Sequence, residues 1–280
     1  MPHLKELPSV KRVYLIGICG TAMASLAGML QERGYEVGGS DEHVYPPMST
    51  YLESLSIPVL EGYTQDHLVT FRPDLVVIGN VAAKTNAEAA ATLAMDLPYT
   101  SMPEAIYELF IKGKHSIVVA GTHGKTTTTS LMAWILEAAG RDPSMVVGGI
   151  PLNFNHNFKL GDGPDFVIEG DEYNTAFFDK GPKFLHYGAN TLLVNNIEID
   201  HADIYADLRA IIDAFRKGVE QVKPGDIIVA NGDDENVAQL RNDARGRWMT
   251  FGFDRTRDAF ATDVEFAPDS TSFTAWWKPD

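Results

Sequence analysis

A short glycine-bearing loop between an apolar strand pattern and a helix pattern most constrains what this chain can fold into. The loop is Gly121-Thr122-His123-Gly124-Lys125-Thr126-Thr127, and the apolar run 117–119 precedes it. The helix pattern that follows carries Leu131, Ile135 and Ala138 on one face and stops at Gly140. Backbone N–H groups of such a loop attract phosphate oxygens, the lysine reaches the outer phosphates, and the next hydroxyl can hold Mg²⁺. The sequence therefore predicts a nucleotide phosphate site.

The spacing of this loop departs from the usual phosphate-loop pattern. That pattern places a glycine five residues before Gly124, where this chain has Val119. The loop is therefore a shortened Gly-x-x-Gly-Lys-Thr form, and a plain glycine turn that feeds a helix remains the alternative interpretation.

Composition limits the possible partners. The 280 residues suggest one large or two ordinary domains, and 45% of them are hydrophobic. The formal net charge of −15, from 23 basic and 38 acidic residues, argues against binding nucleic acid or an anionic membrane. No apolar run approaches the roughly 18 residues that span a bilayer, and the N-terminus has no secretory pattern. Cys19 is the single cysteine, so we expect no intrachain disulfide and a cytoplasmic location.

Strand and helix patterns alternate along the whole chain, which predicts an α/β fold with parallel sheets covered by helices. The polar stretch 111–115 divides two such units, so we expect domains at 1–112 and 113–280. Alternating apolar residues in the tail, 258–280, predict a pair of strands without a closing helix. We therefore expect the second domain to be incomplete at its C-terminal end.

The first unit has its own glycine turn, Gly17-Ile18-Cys19-Gly20, after an apolar strand pattern. It is similar to half of a dinucleotide fingerprint, although Met23 stands near the place of the third glycine. The helix start Thr21-Ala22-Met23 offers free amides to a diphosphate, and Asp41 at the end of the next strand could accept a hydroxyl. A purely structural turn is an equally good interpretation.

Side chains that can bind a metal ion follow two apolar strand patterns of the second unit. Glu169 ends one strand, and His201 comes shortly after another. Because carboxyl ends of parallel strands share one edge, Thr126, Glu169 and His201 could converge on nucleotide phosphates. Thr126 and Glu169 would then bind a first Mg²⁺, and Glu169 with His201 a second metal ion. The alternatives are a turn cap at Glu169 and a solvated His201 beside a helix N-cap.

Together these motifs resemble the Mur ligases, which build the peptide of bacterial cell-wall precursors. The phosphate loop, the acidic turn 169–172 and Asn196-Ile197-Glu198-Ile199-Asp200-His201 carry the resemblance, and Gly17 to Thr21 with Asp41 are similar to the family's UDP-binding domain. Gly170 and Asn174 depart from the usual alanine and aspartate. The carbamylated lysine of other members has no evident counterpart.

The resemblance implies a Rossmann-like UDP-binding domain, a P-loop central domain, and a third, C-terminal domain that this chain lacks, so we expect it to be inactive alone. It implies ATP and Mg²⁺ as cofactors, with Lys125, Glu169 and His201 as catalytic residues. The implied reaction joins the UDP-N-acetylmuramate carboxylate to the amine of a murein tripeptide, L-Ala-γ-D-Glu-meso-diaminopimelate, in peptidoglycan recycling. L-Alanine as the amine is the alternative within the family. A small-molecule kinase and a nucleotide- or NAD-binding module are the alternatives outside it.

Overall fold

The computed structural model describes residues 10–199 and 205–278, and the first part of it is a five-stranded parallel sheet with its helices. The strands follow the order β3-β2-β1-β4-β5. Its elements are β1 (Arg12–Ile16), α1 (Thr21–Glu32), β2 (Glu36–Asp41), α2 (Met48–Ser54), β3 (Val59–Glu61), α3 (Gln65–Phe71), β4 (Leu75–Ile78), α4 (Ala87–Ala94), β5 (Tyr99–Ser101) and α5 (Met102–Ile106). One turn of π-helix, Tyr107–Ile111, follows α5.

The central strands of this sheet are apolar on both faces because helices cover both sides. β1 reads RVYLI and β4 reads LVVI, and nearly all of these residues are buried. β2 and β3 lie on one side of β1, and β4 and β5 lie on the other, so the order in which the chain adds strands reverses between the hydrogen-bonded neighbours β1 and β4. Open α/β sheets bind ligands at the carboxyl ends of strands near such a reversal, and Gly17 lies at that end of β1.

A nine-stranded, mostly parallel sheet forms the second part, in the order β16-β15-β14-β13-β12-β6-β9-β7-β8. Its elements are β6 (His115–Ala120), α6 (Lys125–Ala138), β7 (Ser144–Val146), β8 (Phe158–Lys159), β9 (Asp165–Gly170), β12 (Thr191–Val194), α7 (Leu208–Gln221), β13 (Ile227–Asn231), α8 (Glu235–Ala238), β14 (Arg247–Gly252), β15 (Ala259–Ala267) and β16 (Ser270–Trp277). A separate hairpin of β10 (Asn174–Ala176) and β11 (Asp179–Pro182) precedes a 3-10 helix, Lys183–His186.

β6 lies between β9 and β12, and all three strands are parallel. Ala120, the last residue of β6, is in register with Gly170 of β9 and Val194 of β12. The phosphate loop, the acidic turn and the segment after β12 therefore leave the sheet at one edge, as the sequence predicts.

The two units pack directly on each other. The Asn157 amide donates a 2.7 Å hydrogen bond to Ser25 of α1, and both side chains are buried. Phe178 lies edge-on to Tyr99, with ring centroids 5.3 Å apart. One continuous apolar cluster contains side chains from both units. The first unit is therefore held in place against the second, while the domain boundary at 112/113 stays a prediction.

Three details differ from the sequence patterns. Apolar residues at helical spacing predict a helix over 203–222, whereas α7 begins at Leu208 behind an Asp207 N-cap, and residues 200–204 lie outside the described part. The sequence also predicts a single helix over 104–110, where the structure has the end of α5 followed by the π-helical turn. In α6, Leu131 and Ile135 are exposed, because the helix packs through its opposite face. No helix in residues 10–199 or 205–278 has both the length and the apolar character needed to cross a membrane.

Candidate functional site

The phosphate loop has the backbone shape of an anion cradle. Gly121 and Gly124 have φ angles of 138° and 79°, a region that favours glycine. Gly124 is the N-cap of α6 and no side chain caps that end, so the first amides of the helix keep their hydrogen-bonding capacity. A Cβ atom on Gly124 would lie 3.1 Å from the Asn195 amide nitrogen. The loop therefore needs glycine at this point for its conformation, and a Cβ atom would also crowd the Asn195 side chain.

Lys125 folds back onto the loop that carries it. Its Nζ donates to the carbonyl oxygens of Gly121, at 2.7 Å, and Thr122, at 3.1 Å. The Glu172 carboxylate accepts a further hydrogen bond at 3.0 Å, and this side chain is only 3% exposed. The ammonium group is thus held at the mouth of the loop, where a phosphate would compete with these oxygens for it.

Residues that follow β12 hold the phosphate loop through hydrogen bonds. The Asn196 side chain accepts from the His123 N–H at 2.7 Å, and its backbone carbonyl accepts from the Thr122 N–H at 3.0 Å. The Thr122 hydroxyl in turn accepts from the Glu198 N–H at 2.9 Å. Asn195 donates to Thr128 in the first turn of α6. These bonds fix the loop conformation before any ligand binds.

Glu169 and Thr126 lie together, as the sequence predicts. Glu169 accepts a 2.8 Å hydrogen bond from the Gly148 N–H, and the Thr126 side chain lies close enough to its carboxylate to lower the pKa of that group. Burial raises the pKa of the Glu169 carboxyl above its ordinary value, since desolvation disfavours the charge and Asp171 adds repulsion. The Gly148 hydrogen bond, the Thr126 side chain and the Lys125 charge oppose this shift only in part.

A hydroxyl and a desolvated carboxylate fit Mg²⁺, which prefers oxygen ligands and usually completes its shell with phosphate oxygens and water. In the described ranges no three His, Cys, Asp or Glu side chains are grouped as a metal site on their own. The other predicted metal ligand, His201, lies outside the described residues.

In the first unit, the glycine turn and Asp41 form one wall of a cleft of about 600 Å³. Asp41 accepts a 2.9 Å hydrogen bond from the Cys19 N–H, which ties the turn to the end of β2. Burial and the nearby Asp41 charge raise the pKa of the Cys19 thiol to about 11. Gly20 and Thr21 also line the cleft, whereas the Ile18 side chain is fully buried. Gly17 supports the turn through an N–H bond to the Ser40 carbonyl.

Ala22 and Met23 face a second, smaller cleft of about 250 Å³ between the units. Gly20 and Thr21 contribute to it as well. The opposite wall comes from the second unit and includes Glu169. The sequence places these groups in separate units, and the structure brings them to one opening.

Both halves of the chain match the Mur ligase family. The family's middle domain matches residues 119–279, which is more than half of the chain, and the part described as the Mur ligase family catalytic domain matches residues 12–113. The chain therefore belongs to the Mur ligase family.

Particular members resemble it closely. The chain is 45% identical, over 237 residues, to the UDP-N-acetylmuramate–L-alanyl-gamma-D-glutamyl-meso-2,6-diaminoheptandioate ligase of Escherichia coli (strain K12), with 85% of this chain and 51% of the relative covered. It is 36% identical, over 247 residues, to the UDP-N-acetylmuramate–L-alanine ligase of Dictyoglomus turgidum, covering 88% and 51%. The chain thus spans about half the length of the curated relatives it matches.

Among solved structures, the UDP-N-acetylmuramate:L-alanyl-gamma-D-glutamyl-meso-diaminopimelate ligase (MPL) from Neisseria meningitides superposes with a TM-score of 0.89. The two sequences are 40% identical, and the match covers 96% of this chain and 85% of the other. The α/β fold with a P-loop unit, predicted from the sequence, is confirmed by this similarity.

The sequence assigns no role in the site to Glu172, Asn195 or Asn196, although Glu172 and Asn196 lie in segments that carry the family resemblance. Each contacts the phosphate loop from about 50 to 70 positions away in the chain. The available signal was positional: all three follow the apolar strands next to β6, and polar residues at that edge face the loop.

Proposed function

We propose that this chain binds UDP-N-acetylmuramate and MgATP and takes part in joining the sugar's carboxylate to the amine of L-Ala-γ-D-Glu-meso-diaminopimelate. The observation that carries the proposal is the cleft of about 250 Å³ between the units. The start of α1, which follows the glycine turn of the first unit, lines one side of this cleft, and Glu169 of the second unit lines the other. Glu169 in turn lies beside Thr126 of the phosphate loop. The tripeptide is favoured over L-alanine because the relative named for the tripeptide is 45% identical and the one named for L-alanine 36%.

In this proposal the predicted residues serve three purposes: they bind ATP, the sugar nucleotide and the metal ions. Residues Gly121 to Thr127 surround the β- and γ-phosphates of ATP, and Lys125 neutralises their charge. Gly17, Ile18, Cys19, Gly20, Thr21, Ala22, Met23 and Asp41 hold the UDP part of the sugar nucleotide. Thr126 and Glu169 hold a first Mg²⁺, and Glu169 with His201 a second.

The chemistry is an activation followed by a transfer. A carboxylate oxygen of the sugar attacks the γ-phosphorus, the bond to the β–γ bridging oxygen breaks, and ADP leaves. The amine then attacks the acyl carbon, phosphate departs, and the nitrogen loses a proton. Because phosphoryl transfer depends on positioning and charge neutralisation, Lys125 and the α6 amides stabilise the charge that develops on the phosphoryl oxygens. Bound Mg²⁺ supplies further positive charge at these oxygens.

Hydroxylamine trapping tests the activation step directly. An acyl phosphate reacts with hydroxylamine to give a hydroxamate, so the chain with MgATP, UDP-N-acetylmuramate and hydroxylamine should form the hydroxamate of the sugar nucleotide, detectable by mass. Hydroxylamine replaces the amine substrate, so this test needs only the activation step and not the complete ligation, for which we expect the chain to be inactive alone. UDP-N-acetylglucosamine, which has no such carboxylate, is the matched substrate control and should give none. A stable phosphate ester in place of the hydroxamate would identify a small-molecule kinase instead.

The raised pKa of Glu169 predicts that metal binding depends on pH. The carboxylate must be ionised to bind Mg²⁺, so the apparent Mg²⁺ affinity should fall about tenfold per pH unit below the raised pKa. Glu169→Gln should weaken Mg²⁺ binding at all pH values and abolish this slope. Calorimetric titration of a non-hydrolysable ATP analogue at several Mg²⁺ concentrations and pH values measures both effects.

Glu53→Gln, on the exposed surface of α2, is the control for the loss of one carboxylate. Stability gives an independent check. Between the ordinary and the raised pKa, folded Glu169 binds more protons than unfolded Glu169, so its contribution to stability falls as pH rises through that window. Glu169→Gln should therefore flatten the stability profile there, and an unchanged profile would contradict the assignment.

A further inference from the structure

Lys183 is a buried lysine at the edge of the cleft between the units. It begins the 3-10 helix after β11, and only 8% of its surface is exposed. Lysine is almost never this buried unless its charge is paired, because taking an ammonium group out of water is costly. The position of Lys183 therefore needs an explanation in terms of its partners.

The protein gives Lys183 only part of that pairing. Its Nζ donates a 3.1 Å hydrogen bond to the Asp171 carboxylate and lies 5.9 Å from the centre of the Tyr173 ring. Within residues 10–199 and 205–278 this is its one hydrogen bond, while an ammonium group has three N–H donors. Asp171 is itself partly exposed, at 28% of its side chain. The ammonium group thus retains donors for a further acceptor.

One wall of the cleft beside Lys183 attracts an anion, and the opposite wall repels it. The N-terminal residues of α1, Thr21 to Met23, form one wall, and that helix end has no side-chain cap and no acidic residue in its first turn. Glu169 and Asp171 lie on the opposite wall and carry negative charge. Lys183 is the basic side chain among the residues that line this cleft.

The proposed reaction requires a carboxylate to come close to Glu169, the partner of Thr126 in the phosphate loop. A carboxylate that enters between Glu169 and Asp171 meets like charges, and Lys183 is the basic side chain of this cleft that can compensate for them beside the proposed Mg²⁺. We propose that Lys183 binds the carboxylate of the sugar nucleotide and so selects UDP-N-acetylmuramate over sugar nucleotides without that group. This inference rests on the proposed function and adds a specificity residue to it.

The test compares two sugar nucleotides by calorimetry on the 280-residue chain. UDP-N-acetylmuramate carries the carboxylate, and UDP-N-acetylglucosamine lacks it but shares the UDP and the hexose. Lys183→Met should weaken binding of the first by about tenfold or more, since a hydrogen bond to a charged group is lost. Binding of the second should change less than about twofold. Lys183→Arg keeps the charge and should restore part of the affinity.

Lys180→Met is the matched control, because Lys180 lies three residues away in β11 and is exposed. It should leave both affinities unchanged. Equal losses for the two ligands in Lys183→Met, or no loss for either, would overturn the role of Lys183. Equal affinity of the unmodified chain for both sugars would also overturn it and leave the ligase proposal standing. If the unmodified chain binds neither sugar, both proposals fail.

Discussion

Lys125→Met is expected to lower the affinity of the chain for a non-hydrolysable MgATP analogue by at least about 100-fold. Charge-assisted hydrogen bonds to phosphate are among the strongest in proteins, and a P-loop lysine makes more than one of them. Lys125 is held over the loop by the Gly121 and Thr122 carbonyl oxygens and Glu172, so little reorganisation is needed before it contacts a phosphate. Calorimetric titration measures the change.

Two further variants separate this loss from a general effect on folding. Lys112→Met removes an exposed lysine that pairs with Glu108 one helical turn away, and it should leave nucleotide affinity unchanged. Lys125→Met combined with Glu172→Gln removes the buried ion pair as a whole, so it avoids leaving the Glu172 charge opposite a methionine. The double variant should fold well and still fail to bind the analogue. Near-normal affinity in either Lys125 variant would contradict the phosphate-site assignment.

The central strands could be predicted from the sequence because parallel strands buried on both faces read as continuous apolar runs. The apolar runs 75–78, 166–169 and 191–195 predict three strands, and β4, β9 and β12 begin and end within one residue of them. β8 and the β10–β11 hairpin were not predicted, since they are short and their residues are mostly polar or small. Their conformation depends on tertiary packing, as where Phe158 lies against Gly28 of α1.

The site was predictable to the same degree and for a related reason. Local motifs such as Gly121 to Thr127 have a recognisable spacing. The position of Glu169 near this loop could be predicted because the carboxyl ends of parallel strands share one edge of the sheet. Contacts such as Lys125–Glu172 and Lys183–Asp171 depend on side-chain directions after a turn, which no local pattern specifies. The cleft between the units depends on how the two sheets pack, which the order of elements leaves open.

A buried carboxylate in the first unit, Glu88, has a structural effect large enough to measure. It is fully buried in the first turn of α4. Tyr14 of β1 donates to it at 3.1 Å, the Ser40 hydroxyl of β2 donates as well, and His67 of α3 lies 2.7 Å away. Burial and the Glu88 charge raise the pKa of the Tyr14 hydroxyl well above its ordinary value, so Tyr14 stays a donor. One carboxylate thus joins two strands and two helices beneath the glycine turn.

Glu88→Ala is expected to destabilise the first unit by about 3–5 kcal/mol, because it leaves a buried hydroxyl, a buried phenol and an imidazole without their shared acceptor. Urea denaturation followed by far-UV circular dichroism measures the loss. Glu36→Ala is the matched control: Glu36 pairs with Arg12 on the surface, so its loss should cost less than about 1 kcal/mol.

Since the Ser40 carbonyl accepts the N–H groups of Gly17 and Ile18, Glu88→Ala should also weaken binding of UDP-N-acetylmuramate at temperatures where the chain stays folded. If Glu88→Ala lost as little stability as Glu36→Ala, the hydrogen bonds to Glu88 would not stabilise the first unit. The position of the glycine turn, and with it sugar-nucleotide binding, would then depend on the backbone hydrogen bonds of the turn alone.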